Sequence, residues 1–189
     1  MFRKIALGLL IILMGLSIII ATRPPTFHVD RSTIVAAPPE KIFEHVNDFQ
    51  KWRGWSPYEQ LDPDMKRTYE GALAGEGASY AWEGDDKAGE GKMTIEKSDK
   101  NKELAIKIEF KKPMAVTNKI TFTFVPVAEG TKVTWAMDGD NNFFSKAFQL
   151  FVDFDKMVGT DFEKGLASLK DVAEKESKEE KKPEVPEKK

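Results

Sequence analysis

Residues 31–57, RSTIVAAPPEKIFEHVNDFQKWRGWSP, decide the fold of this chain. Read with the preceding TFHVD, the segment is β-rich up to a Pro-Pro pair, so it forms a first strand that stops there. Pro39 suits the first turn of a helix, and Glu40 puts a carboxylate at its positive end. Ile42, Phe43, Val46 and Phe49 follow at helical spacing and make one apolar face. The helix runs out at DFQKW, and RGWSP forces a second short turn or helix. Trp52, Trp55 and Tyr58 crowd this corner, either as core or as the mouth of a ligand site.

Beyond the corner the period changes. Between Asp64 and Gly139, DMKRTYEG, GASYAWEG, GKMTIEK, ELAIKIEFKKP, NKITFTFVPV and TKVTWAMDG make six strand candidates separated by turn residues. Leu104, Ile106, Ile108 and Phe110 point one way and Lys107, Glu109 and Lys111 the other. Ile120, Phe122 and Phe124 alternate in the same manner, as do Val133, Trp135 and Met137. This is the pattern of an antiparallel sheet with one wet and one buried face. In the C-terminal stretch 143–175, Phe144, Phe148, Phe151, Phe154, Met157, Val158, Phe162, Leu166 and Leu169 form a helical stripe. A kink or break is expected near Gly159. Such a helix needs an apolar partner, and the sheet's buried face is the only large one available. The fold class is α+β: one strand, short helices, six strands and a gripping C-terminal helix.

The 189 residues, 41% hydrophobic and 32% charged with a net charge of −2, suffice for one domain with extensions. No basic stripe suggests nucleic acid. The absence of cysteine excludes disulfides, thiol nucleophiles and thiolate-held zinc. Residues 5–21, IALGLLIILMGLSIIIA, carry no charge and reach about 26 Å as a helix, against a hydrocarbon core of about 30 Å. Ile19 and Ala21 do not make the small-residue pattern of a signal cleavage site, so a retained single span is expected. Arg3 and Lys4 place the N-terminus in the cytoplasm and the domain on the outer, extracytoplasmic side. The mixed-charge end after Ala173 lacks the apolar residues to order itself. The expected organisation is an anchor and short linker over 1–26, a domain over 27–173 and a disordered tail over 174–189.

The stretch 31–57, together with GTKVTW (130–135) and DFEKGLASLK (161–170), resembles the START-like (SRPBCC) superfamily of polyketide cyclases, dehydrases and lipid-transfer proteins, over roughly 27–173. The resemblance implies a helix-grip fold: a curved seven-stranded sheet around a long helix, with a cavity between them and two short helices closing one end. These motifs mark a framework that serves many ligands and reactions.

Chemistry has few carriers here. His28 and His45 are expected to be exposed or hydrogen-bonded, His45 facing water, and neither has a nucleophile partner in view. No metal-ligand spacing and no cofactor motif occur, and the glycines at 75, 77, 89 and 91 lie between strands, where they serve turns and bulges. Asp153, Asp155, Tyr80 and Glu83 are the nameable acid–base candidates, and no catalytic residue is assigned. The inward positions are apolar: Trp52, Trp55, Tyr80, Trp82, Met93, Phe110, Phe122, Trp135 and Met137 are the expected cavity lining. They suit a lipid or another hydrophobic small molecule. The expected function is a membrane-anchored binding module without turnover. The alternatives are a cyclase/dehydrase-type enzyme on the same fold and a chaperone-assisting protein-interaction module.

Overall fold

A computed structural model describes residues 2–180 of the chain. Helix α1 (Phe2–Ala21) precedes strand β1 (Thr26–Val35), helix α2 (Pro39–Asn47) and two 3₁₀ turns, Phe49–Gly54 and Pro57–Gln60. Strands β2 (Lys66–Gly71), β3 (Ala78–Glu83), β4 (Glu90–Asp99), β5 (Glu103–Lys112), β6 (Val116–Val127) and β7 (Gly130–Asp140) follow. Helices α3 (Phe143–Phe148) and α4 (Phe154–Glu180) close the order.

The strands form one seven-stranded sheet in the order β1-β7-β6-β5-β4-β3-β2, antiparallel throughout. β1 pairs with β7 from Thr26↔Asp140 to Val35↔Thr131, which carries the N-terminal strand back to the last one. The alternation of β5 is realised, with Leu104, Ile106 and Ile108 buried on the concave face. Gly75 and Gly77 make the β2–β3 turn and Gly89 the β3–β4 turn, with φ of 76°, 84° and 67°. That left-handed backbone favours glycine and explains these residues without any phosphate.

α2 begins with Pro39 and buries Ile42, Phe43 and Val46. At its end Asp48 turns outward and its side chain accepts a hydrogen bond from the Gln50 N–H, which starts the first 3₁₀ turn. α4 lies across the sheet and buries Val158, Phe162, Leu166, Leu169 and Ala173. At Gly165 a Cβ would come within 2.6 Å of the Trp135 ring, so the glycine lets helix and sheet approach. The Trp135 and Phe162 rings stack there at 4.2 Å.

Three expectations change. The C-terminal stretch is two helices, and the break falls at 149–153 rather than at Gly159. Asp153 accepts from the Lys156 N–H and starts α4 as its cap, while Gly159 sits in the second turn of α4 under the Arg31 guanidinium. His45 does not face water. It is buried, and its Nε2 lies 3.0 Å from Glu176 Oε2 of α4. The expected disordered tail is helical through Glu180, because Glu174 accepts from the Ala36 N–H at 2.8 Å and Ser177 is buried. The remainder of that tail, 181–189, lies outside the described residues.

Candidate functional site

Between the concave sheet face and α4 lies a cavity of about 840 Å³. Its walls are Trp82, Met93, Ile108 and Phe110 from β3–β5, and Ile120, Trp135 and Met137 from β6–β7. Phe154, Met157, Val158 and Phe162 of α4 form the opposite side. The rim carries Pro113 and Met114 of the β5–β6 turn, and Phe148 and Gln149 at the end of α3. Met114, Phe148 and Met157 are exposed, so the opening lies on this side.

Of the nine residues expected to line it, Trp52, Tyr80, Trp82, Met93, Phe110, Trp135 and Met137 do so. Trp55 and Phe122 are core instead, buried behind Trp135 with ring centroids 5.6 and 4.9 Å from its own. Strand alternation assigns Phe122 to the concave face but says nothing of what covers it. The tryptophan corner is mainly structural. Trp52 Nε1 donates to the Val46 carbonyl at 2.9 Å and Trp55 Nε1 to the His45 carbonyl at 3.1 Å. The indoles thereby satisfy carbonyls that the end of α2 leaves without helical partners. Only Trp52 also reaches the cavity.

Asn118, Asp140, Asn141 and Asp161 also border the cavity, and a hydrogen-bonded polar corner interrupts its apolar wall. Glu59, on the second 3₁₀ turn, is buried and lines the cavity. The Tyr80 hydroxyl donates to its Oε1 at 2.6 Å, and Arg67 Nε donates to its Oε2 at 2.8 Å. Arg67 Nη1 also donates to the Met65 carbonyl at 2.8 Å, which fixes the guanidinium. Burial, and next the bond to Glu59, push the Tyr80 phenol well above its ordinary range, so it stays a donor. Glu59 and its partner Arg67 are the members that sequence reasoning missed. A 3₁₀ turn of four residues has no period to reveal which side faces inward; the available signal was a lone carboxylate among aromatic residues.

The other acid–base candidates lie elsewhere. Asp153 caps α4, Asp155 accepts from Arg31 Nη2 at 2.8 Å, and Glu83 pairs with Lys66 at 3.1 Å. None of the three lines the cavity. His28 is exposed at the sheet edge, and its Nδ1 lies 2.7 Å from Asp138. That hydrogen bond raises its pKa above the usual histidine value. Among the described residues no group of three or more His, Asp or Glu is arranged to hold a metal ion.

The family model for polyketide cyclase / dehydrase and lipid transport matches residues 26–174. No curated protein matches the sequence. Solved structures share the fold at low identity. A protein of unknown function from Staphylococcus aureus, SA2116, superposes with a TM-score of 0.60 at 12% identity, over 81% of this chain and 96% of that one. The di-domain ARO/CYC StfQ of the steffimycin biosynthetic pathway gives 0.60 at 10%, over 81% of this chain and 52% of that one. The Aha1 dimer from Colwellia psychrerythraea gives 0.56 at 18%, over 78% and 96%. At these identities the likeness concerns the fold.

Proposed function

The chain belongs to the polyketide cyclase/dehydrase and lipid-transport family, and from that premise we propose that it binds a lipid or other hydrophobic small molecule while tethered to a membrane. The observation that carries the reading is the cavity. Its volume of about 840 Å³ falls in the range of about 300–1,000 Å³ usual for ligand sites, and its wall is mostly aromatic, aliphatic and thioether. The apolar wall favours an acyl chain or fused rings. The Glu59–Tyr80–Arg67 corner favours a ligand with one hydroxyl or amide group near that end. Helix α1, at 20 residues, is long and apolar enough to cross a membrane. In this reading it is the tether, with Arg3 and Lys4 inside and the domain over 27–173 outside. Tethering keeps the cavity beside a source of apolar ligand.

Binding is tested with a fluorescent polyene fatty acid added to the chain from Thr22 onward, free of α1. Tryptophans in the cavity wall then serve as energy donors. Saturable transfer that lipids compete away is expected; transfer that rises linearly without saturation contradicts the reading.

A cyclase-type role is the second reading, favoured by the Tyr80 hydroxyl and the Glu59 carboxylate in the cavity wall. It requires that Tyr80→Phe and Glu59→Gln abolish turnover of a polyketide-like substrate while leaving its binding intact. Binding without turnover in the unaltered chain returns the weight to the first reading.

A further inference from the structure

The end of the domain that carries the cavity mouth also carries its bare aromatic rings. Phe143, Phe144, Phe148 and Phe151 are all exposed on α3 and the loop after it, Phe144 at 70% and Phe151 at 84%. Met114, on the β5–β6 turn at the same rim, is exposed as well. Apart from Phe148, which also reaches the cavity rim, burial in this domain gives no reason for these rings, since polar residues would serve equally in water. Neighbouring exposed aromatics mark a surface that meets another phase or partner. Toward the opposite end, Leu73 and Val125 are exposed aliphatics on separate strands or turns, without such a cluster.

The same end is where the membrane-capable helix attaches. α1 contacts α3, and the buried side chain of α1 is Ile20, one residue from its end. The linker is clamped as well. The Asn141 N–H donates to the Pro25 carbonyl at 2.7 Å, and Asn141 Nδ2 donates to the Pro24 carbonyl at 3.3 Å. Gln149 Nε2, just past α3, donates to Asn141 Oδ1 at 2.7 Å. Fully extended, the chain from Ala21 to Thr26 spans at most about 18 Å. With α1 across a bilayer, α3 therefore lies at the boundary between lipid and water.

The geometry points to α3 and residues 149–153, with Met114, as a foot whose side chains enter the bilayer interface and open the cavity mouth onto lipid. Phenyl rings on one short helix suit a depth of about 5–10 Å, at the level of headgroups and upper acyl chains. Arg23 and Lys146, carried on the linker and on α3, put positive charge at the level of anionic headgroups. The occupant is a phospholipid bilayer rather than a protein because the rings continue a surface that begins with α1. The inference goes beyond ligand binding, and each can fail without the other: cavity binding is read without α1 or membrane, and docking is read from outside the cavity.

The cysteine-free sequence makes the test clean. The full chain is reconstituted in vesicles of phosphatidylcholine and phosphatidylglycerol with one substitution at a time: Phe144→Cys, Phe151→Cys, or Leu73→Cys as the far-end reference. Each carries an environment-sensitive nitrobenzoxadiazole label. Expected at 144 and 151 are blue-shifted emission, quenching by lipids spin-labelled high on the acyl chain, and several-fold protection from iodide relative to 73. Iodide quenching equal to that at 73 overturns the proposal. So does a blue shift that spin-labelled lipid fails to quench and that fades on dilution with lipid, which would identify a second copy of the chain as the occupant.

Discussion

Toward the end where α2 lies, Leu104, Ile106 and Val133 of the sheet meet α4 residues Leu166 and Leu169, all at 2% exposure or less. Toward the end where β1 begins, the same concave face presents Met93, Ile108, Phe110 and Met137 to a cavity of about 840 Å³. Sheet and long helix are common to both halves; what differs is the third element. α2 and the first 3₁₀ turn push Ile42, Phe43, Val46, Phe49 and Trp52 into the far half. In the near half the third element is α3, six residues long with no buried side chain. A helix-grip sheet is thus solid where a third layer inserts its apolar face, and hollow where the covering helix buries none of its rings. One fold combines a stabilising half with a receptive one.

Substitutions should expose that division. Phe122→Ala, in the solid part, is expected to cost about 3–5 kcal/mol of stability, because well-packed surroundings collapse poorly into the space left. Urea unfolding measures it; a cost under about 1 kcal/mol would mean that this half is looser than its packing implies. Arg67→Ala strands the buried Glu59 carboxylate and should cost about 3 kcal/mol, while Glu59→Gln, which leaves a neutral partner for Tyr80, should cost less. Met93→Ala, on the hollow side, is expected to cost only about 2 kcal/mol, the low end for a buried methionine, since part of its side chain already faces empty space. It should instead change which ligands compete for the cavity. Equal costs for Phe122→Ala and Met93→Ala would erase the distinction.

The smallest effect concerns the clasp between β1 and α4. The hydrogen bond from Arg31 holds the Asp155 carboxyl below the usual carboxylate range. A depressed folded-state pKa adds stability above the unfolded value, and that contribution is lost as pH falls through the folded one. Arg31→Gln should therefore lower stability near about pH 7 and lower it less near about pH 3. Denaturation at both pH values reads the difference, and a gap that widens in acid would reverse the sign.

Much of the fold was legible in the sequence, whereas the division into solid and hollow halves was not, for physical reasons. Alternation located the strands and their buried faces, and Pro39 with the Ile42–Val46 spacing located α2. Period assigns a face but not a position along it, so Phe122 and Met137 looked equivalent although one is core and the other wall. His45 looked exposed because its partner, Glu176, belongs to a segment whose composition reads as solvated. A carboxylate of that segment can dock on a histidine far away in the chain, which composition does not encode. The break before Asp153 was hidden by a phenylalanine stripe that continues through it, although α3 buries none of its rings. Glu59 stayed invisible because a 3₁₀ turn gives no periodic signal.

The most direct test of a hollow, receptive half is native mass spectrometry of the full chain, gently released from its membrane, beside Ile108→Trp, which adds bulk to the cavity wall. The unaltered chain is expected to carry a reproducible mass excess that organic extraction removes, and the variant to fold and carry none. A clean mass for the unaltered chain after exposure to lipid, or the same excess on both proteins, would contradict the account.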